Sequence, residues 1–145
     1  MLGERPVDNR LAPPSSVAPG GKALKILVVE DDDALRTVYQ LVLLEHGHAV
    51  NAVANGAEAV RVVSPDIDLV VTDIKMPVMA GDKLIAELRA KAEFRELPVL
   101  VVTAHPDDLR PELRDEKTAV LRKPFELDDF IKWVDAAAGL RRSDN

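Results

Sequence analysis

The chain has 145 residues, 47% of them hydrophobic and 30% charged, with a formal net charge of −6. That length allows one domain with a real core and not two, the acidic balance argues against a nucleic-acid footprint, and the absence of cysteine excludes disulfides, thiolate catalysis and Cys-type zinc sites. No apolar run approaches the about 20 residues of a membrane span and the N-terminus lacks a signal-peptide pattern, so the expected location is the cytoplasm, with no membrane partner.

Residues 1–22 hold four of the ten prolines, with Gly3, Ser15, Ser16, Gly20 and Gly21 and no periodic apolar pattern. They are read as a flexible leader unable to bury enough surface to fold. A domain is expected over 23–141, with a tail over 142–145. Its first strand is Lys25–Val29; Asp32 or Asp33 then caps a helix in which Leu35, Val38 and Val42 recur at helical spacing toward Gly47. A short second strand, Ala49–Val53, precedes Asn55 and Glu58, a capping box opening a helix over 57–63. His46 and His48 are read as exposed loop histidines, since no third ligand accompanies them. The run 67–72 is a third strand ending at Asp73, and a helix over 81–91 carries Leu84, Ile85 and Leu88. A fourth strand spans 98–103, a short charged helix with two prolines near its start is expected over 106–116, and a weaker fifth strand covers 118–121. Leu127, Phe130, Ile131, Val134 and Ala138 form the stripe of a last helix ending near Gly139. Trp133 lies off that stripe and is read as packing at the edge of a neighbouring element.

Five strands alternating with helices imply an α/β fold: a doubly wound, five-stranded parallel sheet of order 2-1-3-4-5 with helices on both faces, flavodoxin-like in layout. In such a fold the site lies at the carboxyl edge of the strands. There the order brings Glu30, Asp31 and possibly Asp32, after strand 1, beside Asp73 after strand 3. Two carboxylates about 4 Å apart repel by about 4 kcal/mol at an effective dielectric near 20, so three gathered there call for a hard divalent cation with oxygen ligands, of which Mg²⁺ is the common choice where phosphate is handled. Strand 4 ends in the hydroxyl of Thr103, and strand 5 in Lys123, followed by Pro124, a pair able to form a cis peptide. Taken alone, 30–33 would also read as the solvated, acidic start of a helix, and Asp32 and Asp33 read better as caps than as ligands. Acceptor, cation cradle, hydroxyl and ammonium at one edge suit phosphoryl transfer.

The runs Ile26-Leu27-Val28-Val29-Glu30-Asp31-Asp32, Thr72-Asp73-Ile74-Lys75-Met76-Pro77-Val78-Met79-Ala80-Gly81, Val102-Thr103-Ala104 and Lys123-Pro124-Phe125 resemble the receiver domain of two-component response regulators, a likeness covering roughly 24–140. The resemblance implies that Asp73 accepts a phosphoryl group from a phosphohistidine on a sensor histidine kinase or phosphotransfer protein. It implies Mg²⁺ held by Asp31 directly, Glu30 mostly through water, Asp73 and the backbone carbonyl of Lys75, with Thr103 and Lys123 on the phosphoryl oxygens. It also implies that Lys75 and His105, which flank the site, tune the lifetime of the acyl phosphate. Such a domain is a signalling switch and not an enzyme, assisting only its own phosphorylation and dephosphorylation.

Three features depart from the pattern: Met79 and Ala80 before Gly81, Val120 where an aromatic switch residue is usual, and a short segment between Thr103 and Lys123, so that the fourth helix is expected to be short or irregular. A flavodoxin would need a hydroxyl- and glycine-rich loop where 30–33 is acidic, and a haloacid-dehalogenase-type phosphatase would need an acid where Lys75 stands. A phosphorylation-independent scaffold and a receiver cut from a hybrid histidine kinase remain as alternatives. With only 140–145 left after the last helix, output is expected through contact with a downstream protein.

Overall fold

Every residue of Leu69–Thr72 and Val99–Thr103 is buried, as are residues 26–29, the mark of strands covered on both faces. The structure, a computed structural model, describes residues 23–140; the leader expected over 1–22 and the tail over 142–145 lie outside them. Its elements are β1 (Lys25–Val29), α1 (Asp33–Glu45), β2 (Ala49–Val53), α2 (Gly56–Val62), β3 (Leu69–Thr72), α3 (Gly81–Arg89), β4 (Val99–Thr103), β5 (Thr118–Arg122) and α4 (Leu127–Ala138). The strands form one parallel sheet in the order β2-β1-β3-β4-β5, the doubly wound arrangement expected.

Alternation along each strand divides the core in two. Leu27, Val29, Val70, Val99 and Val101 face α2 and α3, where Ala59, Leu84, Ile85 and Leu88 close over them. Ile26, Val28, Leu69, Val71, Leu100 and Val102 face α1 and α4, against Tyr39, Leu43, Phe130, Trp133 and Val134. Each such side chain, removed from water, contributes about 1.5–3 kcal/mol before entropy is counted. The helix ends follow their signals. The Asp32 carboxylate accepts from the Leu35 N–H (2.9 Å), and Asn55 Oδ1 accepts from Glu58 N–H (2.9 Å) while Glu58 Oε1 reaches back to Ala54 N–H (3.0 Å). At the far end of α1, Gly47 at φ +92° lets its N–H reach the Leu44 carbonyl (3.0 Å) and that of His48 the Leu43 carbonyl (3.1 Å).

Three expectations are corrected. No helix forms over 106–116: the segment folds as two 3-10 turns, Pro106–Asp108 and Pro111–Leu113. Pro111 lacks the N–H a continuing helix would need, and its ring would strike the preceding turn. Leu109 and Leu113 anchor the segment in the core, and Arg114 Nη2 ties it by donating to the carbonyls of Pro106 and Leu109 (both 3.0 Å). The buried face of α4 is rotated from the expected stripe: Phe130, Trp133, Val134 and Ala137 point inward, whereas Leu127 in the first turn is 44% exposed. Trp133 is thus a core residue.

The third correction is His48, which is buried. Its Nδ1 accepts from the Leu24 N–H (3.0 Å), and its Nε2 lies 3.9 Å from Asp135 Oδ1. Burial pushes its pKa down; Asp135 opposes the shift and His46 adds to it. As pH falls below the ordinary histidine value of about 6.5, the unfolded chain therefore takes up a proton before the folded one, and stability falls until the lower folded-state pKa is passed. His48→Gln is expected to flatten the loss of melting temperature between about pH 7 and pH 5; an unchanged slope in thermal melts would assign that loss to other groups.

Candidate active site at the carboxyl edge of the sheet

Strand register assembles the site. Val29 pairs with Thr72 across β1 and β3, so the residues that follow them, Glu30 and Asp73, leave neighbouring strands side by side. Thr103 pairs with Arg122, and the next residue, Lys123, donates its backbone N–H to the Thr103 carbonyl (2.9 Å). The Lys123–Pro124 peptide is cis. The Lys123 ammonium donates to Asp73 Oδ2 at 2.9 Å and lies 3.7 Å from Glu30 Oε1, so one cation bridges carboxylates from two strands.

Glu30 is only 3% exposed. Burial raises its pKa; the hydrogen bond from Asp32 N–H to Oε2 (3.0 Å) and the charge of Lys123 pull it down, and the negative charges of Asp73 and Asp31 push it up again. Burial alone would lower Lys123, but the hydrogen bond to Asp73 and the charges of Asp73 and Glu30 outweigh it, holding the ammonium above its ordinary value. Asp73 Oδ1 accepts from the N–H of Ile74 (2.6 Å), which leaves the carboxylate oriented by backbone on one oxygen and by lysine on the other. Arg36 Nη1 donates to the Glu30 carbonyl (2.9 Å) and fixes the end of β1. This tie is invisible to sequence reasoning.

The loop from Asp73 to α3 is held by backbone packing. The Gly81 N–H donates to the Ile74 carbonyl (2.8 Å), and a Cβ built on Gly81 would lie 1.9 Å from the Asp73 carbonyl oxygen. Between them Val78 sits at φ +70°, exposed, as Met79 N–H turns back to the Pro77 carbonyl (2.7 Å). This is a tight turn rarely made by a β-branched residue, and nothing in the sequence pattern marked it. Lys75 Nζ reaches Asp108 Oδ2 at 3.6 Å. Thr103 is fully buried, and its Oγ1 accepts from the His105 N–H (3.0 Å), leaving its own hydrogen to donate elsewhere. Val120 is half-buried and packs against the α2–α3 side of the core.

Asp31 is exposed at the mouth of the site. Among the described residues no three acidic or imidazole side chains form a ready metal cage; what the structure gathers is Glu30 and Asp73 around an ammonium. The donor chemistry nevertheless suits a hard dication. All the candidate ligands are oxygens (Glu30, Asp31, Asp73 and the Lys75 carbonyl), and two of the carboxylates, Glu30 and Asp73, already share one cation, the Lys123 ammonium.

Comparison with known proteins agrees with this fold. Residues 26–135 match the model of the response regulator receiver domain. The sensor histidine kinase TmoS of Ectopseudomonas mendocina is 38% identical over 104 residues, 70% of this chain and 11% of that protein. The regulatory protein VanRB of Enterococcus faecalis is 34% identical over 125 residues, 83% of this chain and 54% of that protein. The chain thus spans only part of the length of these relatives. Among solved structures, the receiver domain of a sensor histidine kinase from Pseudomonas aeruginosa PAO1, with a magnesium ion coordinated in its active-site cleft, superimposes with a TM-score of 0.72 at 28% identity, covering 81% of this chain and 99% of that one.

Proposed function

The chain belongs to the response regulator receiver domain family, and from that premise we propose that it is a phosphorylation-dependent signalling switch with Asp73 as its acceptor. The observation that carries the reading is the Asp73–Lys123 contact at 2.9 Å with buried Glu30 at 3.7 Å behind it: an oriented carboxylate beside the cation that a phosphoryl group would need. In the reaction, a carboxylate oxygen of Asp73 attacks the phosphorus of a phosphohistidine on a sensor histidine kinase or phosphotransfer protein. The P–N bond breaks, the imidazole leaves with the electron pair, and an aspartyl phosphate remains. Lys123 turns from the carboxylate to the phosphoryl oxygens, offsetting their charge, and Thr103 donates its hydroxyl hydrogen to one of them. Mg²⁺, held by Glu30, Asp31, Asp73 and the Lys75 carbonyl, would neutralise charge on acceptor and phosphoryl group alike. Water later cleaves the acyl phosphate, returning Asp73 and inorganic phosphate.

On this reading the domain over 23–141 is cytoplasmic and signals through altered contact with a downstream protein, not through nucleic acid. Among the described residues no helix is long and apolar enough to cross a membrane. Likeness to a sensor kinase of which the chain spans 11% also supports a receiver carried within a longer hybrid kinase.

The test is incubation with Mg²⁺ and a small acyl phosphate, followed by intact mass. One added phosphoryl group is expected in wild type and none in Asp73→Asn; no uptake from any donor would leave a scaffold that does not depend on phosphorylation. Decay of the adduct is expected to change in Lys75→Asn and His105→Ala, whose side chains flank the site and govern water access. Wild-type decay in both would remove that role.

A further inference from the structure

One buried polar group beside the site has no part in the reaction as described. Tyr39, on α1, is 3% exposed, and among the described residues its hydroxyl has no hydrogen-bond partner. Its direction follows from two observations. α1 starts at Asp33, next to the acidic strand end, and long side chains of a helix lean back toward its N-terminus, so the ring of Tyr39 rises toward the carboxyl edge of the sheet. The ring stacks on Phe130 (centroids 4.9 Å apart) and on Phe125 (6.3 Å), and Phe125 lies two residues beyond Lys123 at that same edge. Burial first, then the charges of Glu30, Asp73 and Asp32, push the phenol above its ordinary pKa.

A buried phenolic hydroxyl normally finds a partner. We propose that Tyr39 is a positioning residue of the acidic site, its hydroxyl donating through one bound water to the carboxylates of Glu30 and Asp73, so that cation loading is felt in the Tyr39–Phe130–Phe125 stack. The inference rests on the reading of this edge as a cation-binding phosphoacceptor site. A bridging water is suited to the place, since it finds a donor below and acceptors above, and a buried water needs two to four polar partners. The stack then joins the site to α1 and α4, on the opposite face of the sheet from Val120. The aromatic responder in this chain is on α1, not on β5.

The chain's single tyrosine makes the inference testable without phosphorylation. Mg²⁺ is titrated into wild-type and Tyr39→Phe protein by calorimetry, with near-ultraviolet absorption recorded in parallel. Wild type is expected to show a tyrosine difference band that saturates with the heat. Tyr39→Phe, which keeps the ring stack, is expected to bind Mg²⁺ about tenfold more weakly, as removal of an outer hydrogen-bond partner does elsewhere, with a melting temperature no lower than wild type. Equal affinity in the two proteins, or saturating heat without a tyrosine band, would overturn the inference alone. Absence of any Mg²⁺ heat in wild type would overturn the cation-site reading and the inference together.

Discussion

Lys123→Met is expected to lose phosphoryl uptake by at least about a hundredfold, the usual consequence of removing a preorganised charge from a transition state, while binding a divalent cation more tightly than wild type. The opposite signs follow from the position of the ammonium. In the structure it hydrogen-bonds Asp73 Oδ2 at 2.9 Å and sits 3.7 Å from Glu30 Oε1, offsetting charge that would otherwise repel a phosphoryl donor. Methionine keeps most of the stem volume and deletes the charge, so Glu30, 3% exposed, and Asp73 face each other unneutralised. Two carboxylates left unneutralised in so buried a site repel each other. Part of that is relieved by protonating Glu30, whose pKa burial already raises, and the remainder by drawing in a dication. Calorimetry with Mg²⁺ and intact mass after acyl-phosphate treatment read the two quantities separately. Unchanged uptake in the variant would show that Lys123 is only a counter-ion of the resting site.

The difference between what the residues announced and what only the coordinates show follows from where the physical constraint lies. β1, β3 and β4 were readable because burial on both faces demands uninterrupted apolar runs, and the parallel order then places Glu30 and Asp73 together through pairing of Val29 with Thr72. Lys123 was readable because β5 ends there. The phase of α4 was not, since the first-turn Leu127 mimics a core position while Trp133 and Ala137 carry the burial. His48 looked exposed because a loop position between helix and strand says nothing about a partner such as Leu24, 24 residues away. The two turns within 106–116 depended on whether Pro111 began a helix or broke one, and only the packing of Leu109 and Leu113 decides that. Helical spacing on α1 singled out Leu35, Val38 and Val42 and passed over Tyr39, whose interest comes from its buried place beside the acidic strand end, which no periodicity records.

Gly81→Ala is expected to destabilise the fold by about 3 kcal/mol or more, at the upper end for overpacking a rigid environment, and to lower the melting temperature by about 10 °C, at the few degrees per kcal/mol typical of this chain length. The added methyl would lie 1.9 Å from the Asp73 carbonyl oxygen, 2.9 Å from its carbon and 3.0 Å from the Ile74 Cα. All three are backbone atoms, with no flexible side chain to swing aside. Retreat is blocked on both sides: the Gly81 N–H is bonded to the Ile74 carbonyl at 2.8 Å, and the Asp73 carbonyl accepts from Thr72 Oγ1 at 2.8 Å. The start of α3 has no side-chain cap at Ala80 to hold it if the contact shifts. Gly47→Ala is the control, because φ there is +92° but a Cβ meets nothing within 4 Å, so the cost is the backbone preference alone, about 1 kcal/mol. Scanning calorimetry of the two variants separates a clash from a conformational penalty: a drop at position 81 no larger than at 47 would mean that the loop yields. If it does not yield, the methyl displaces Asp73 itself, and the folded fraction of Gly81→Ala should lose Mg²⁺ binding as well as stability, although position 81 carries no side chain to contribute to the site.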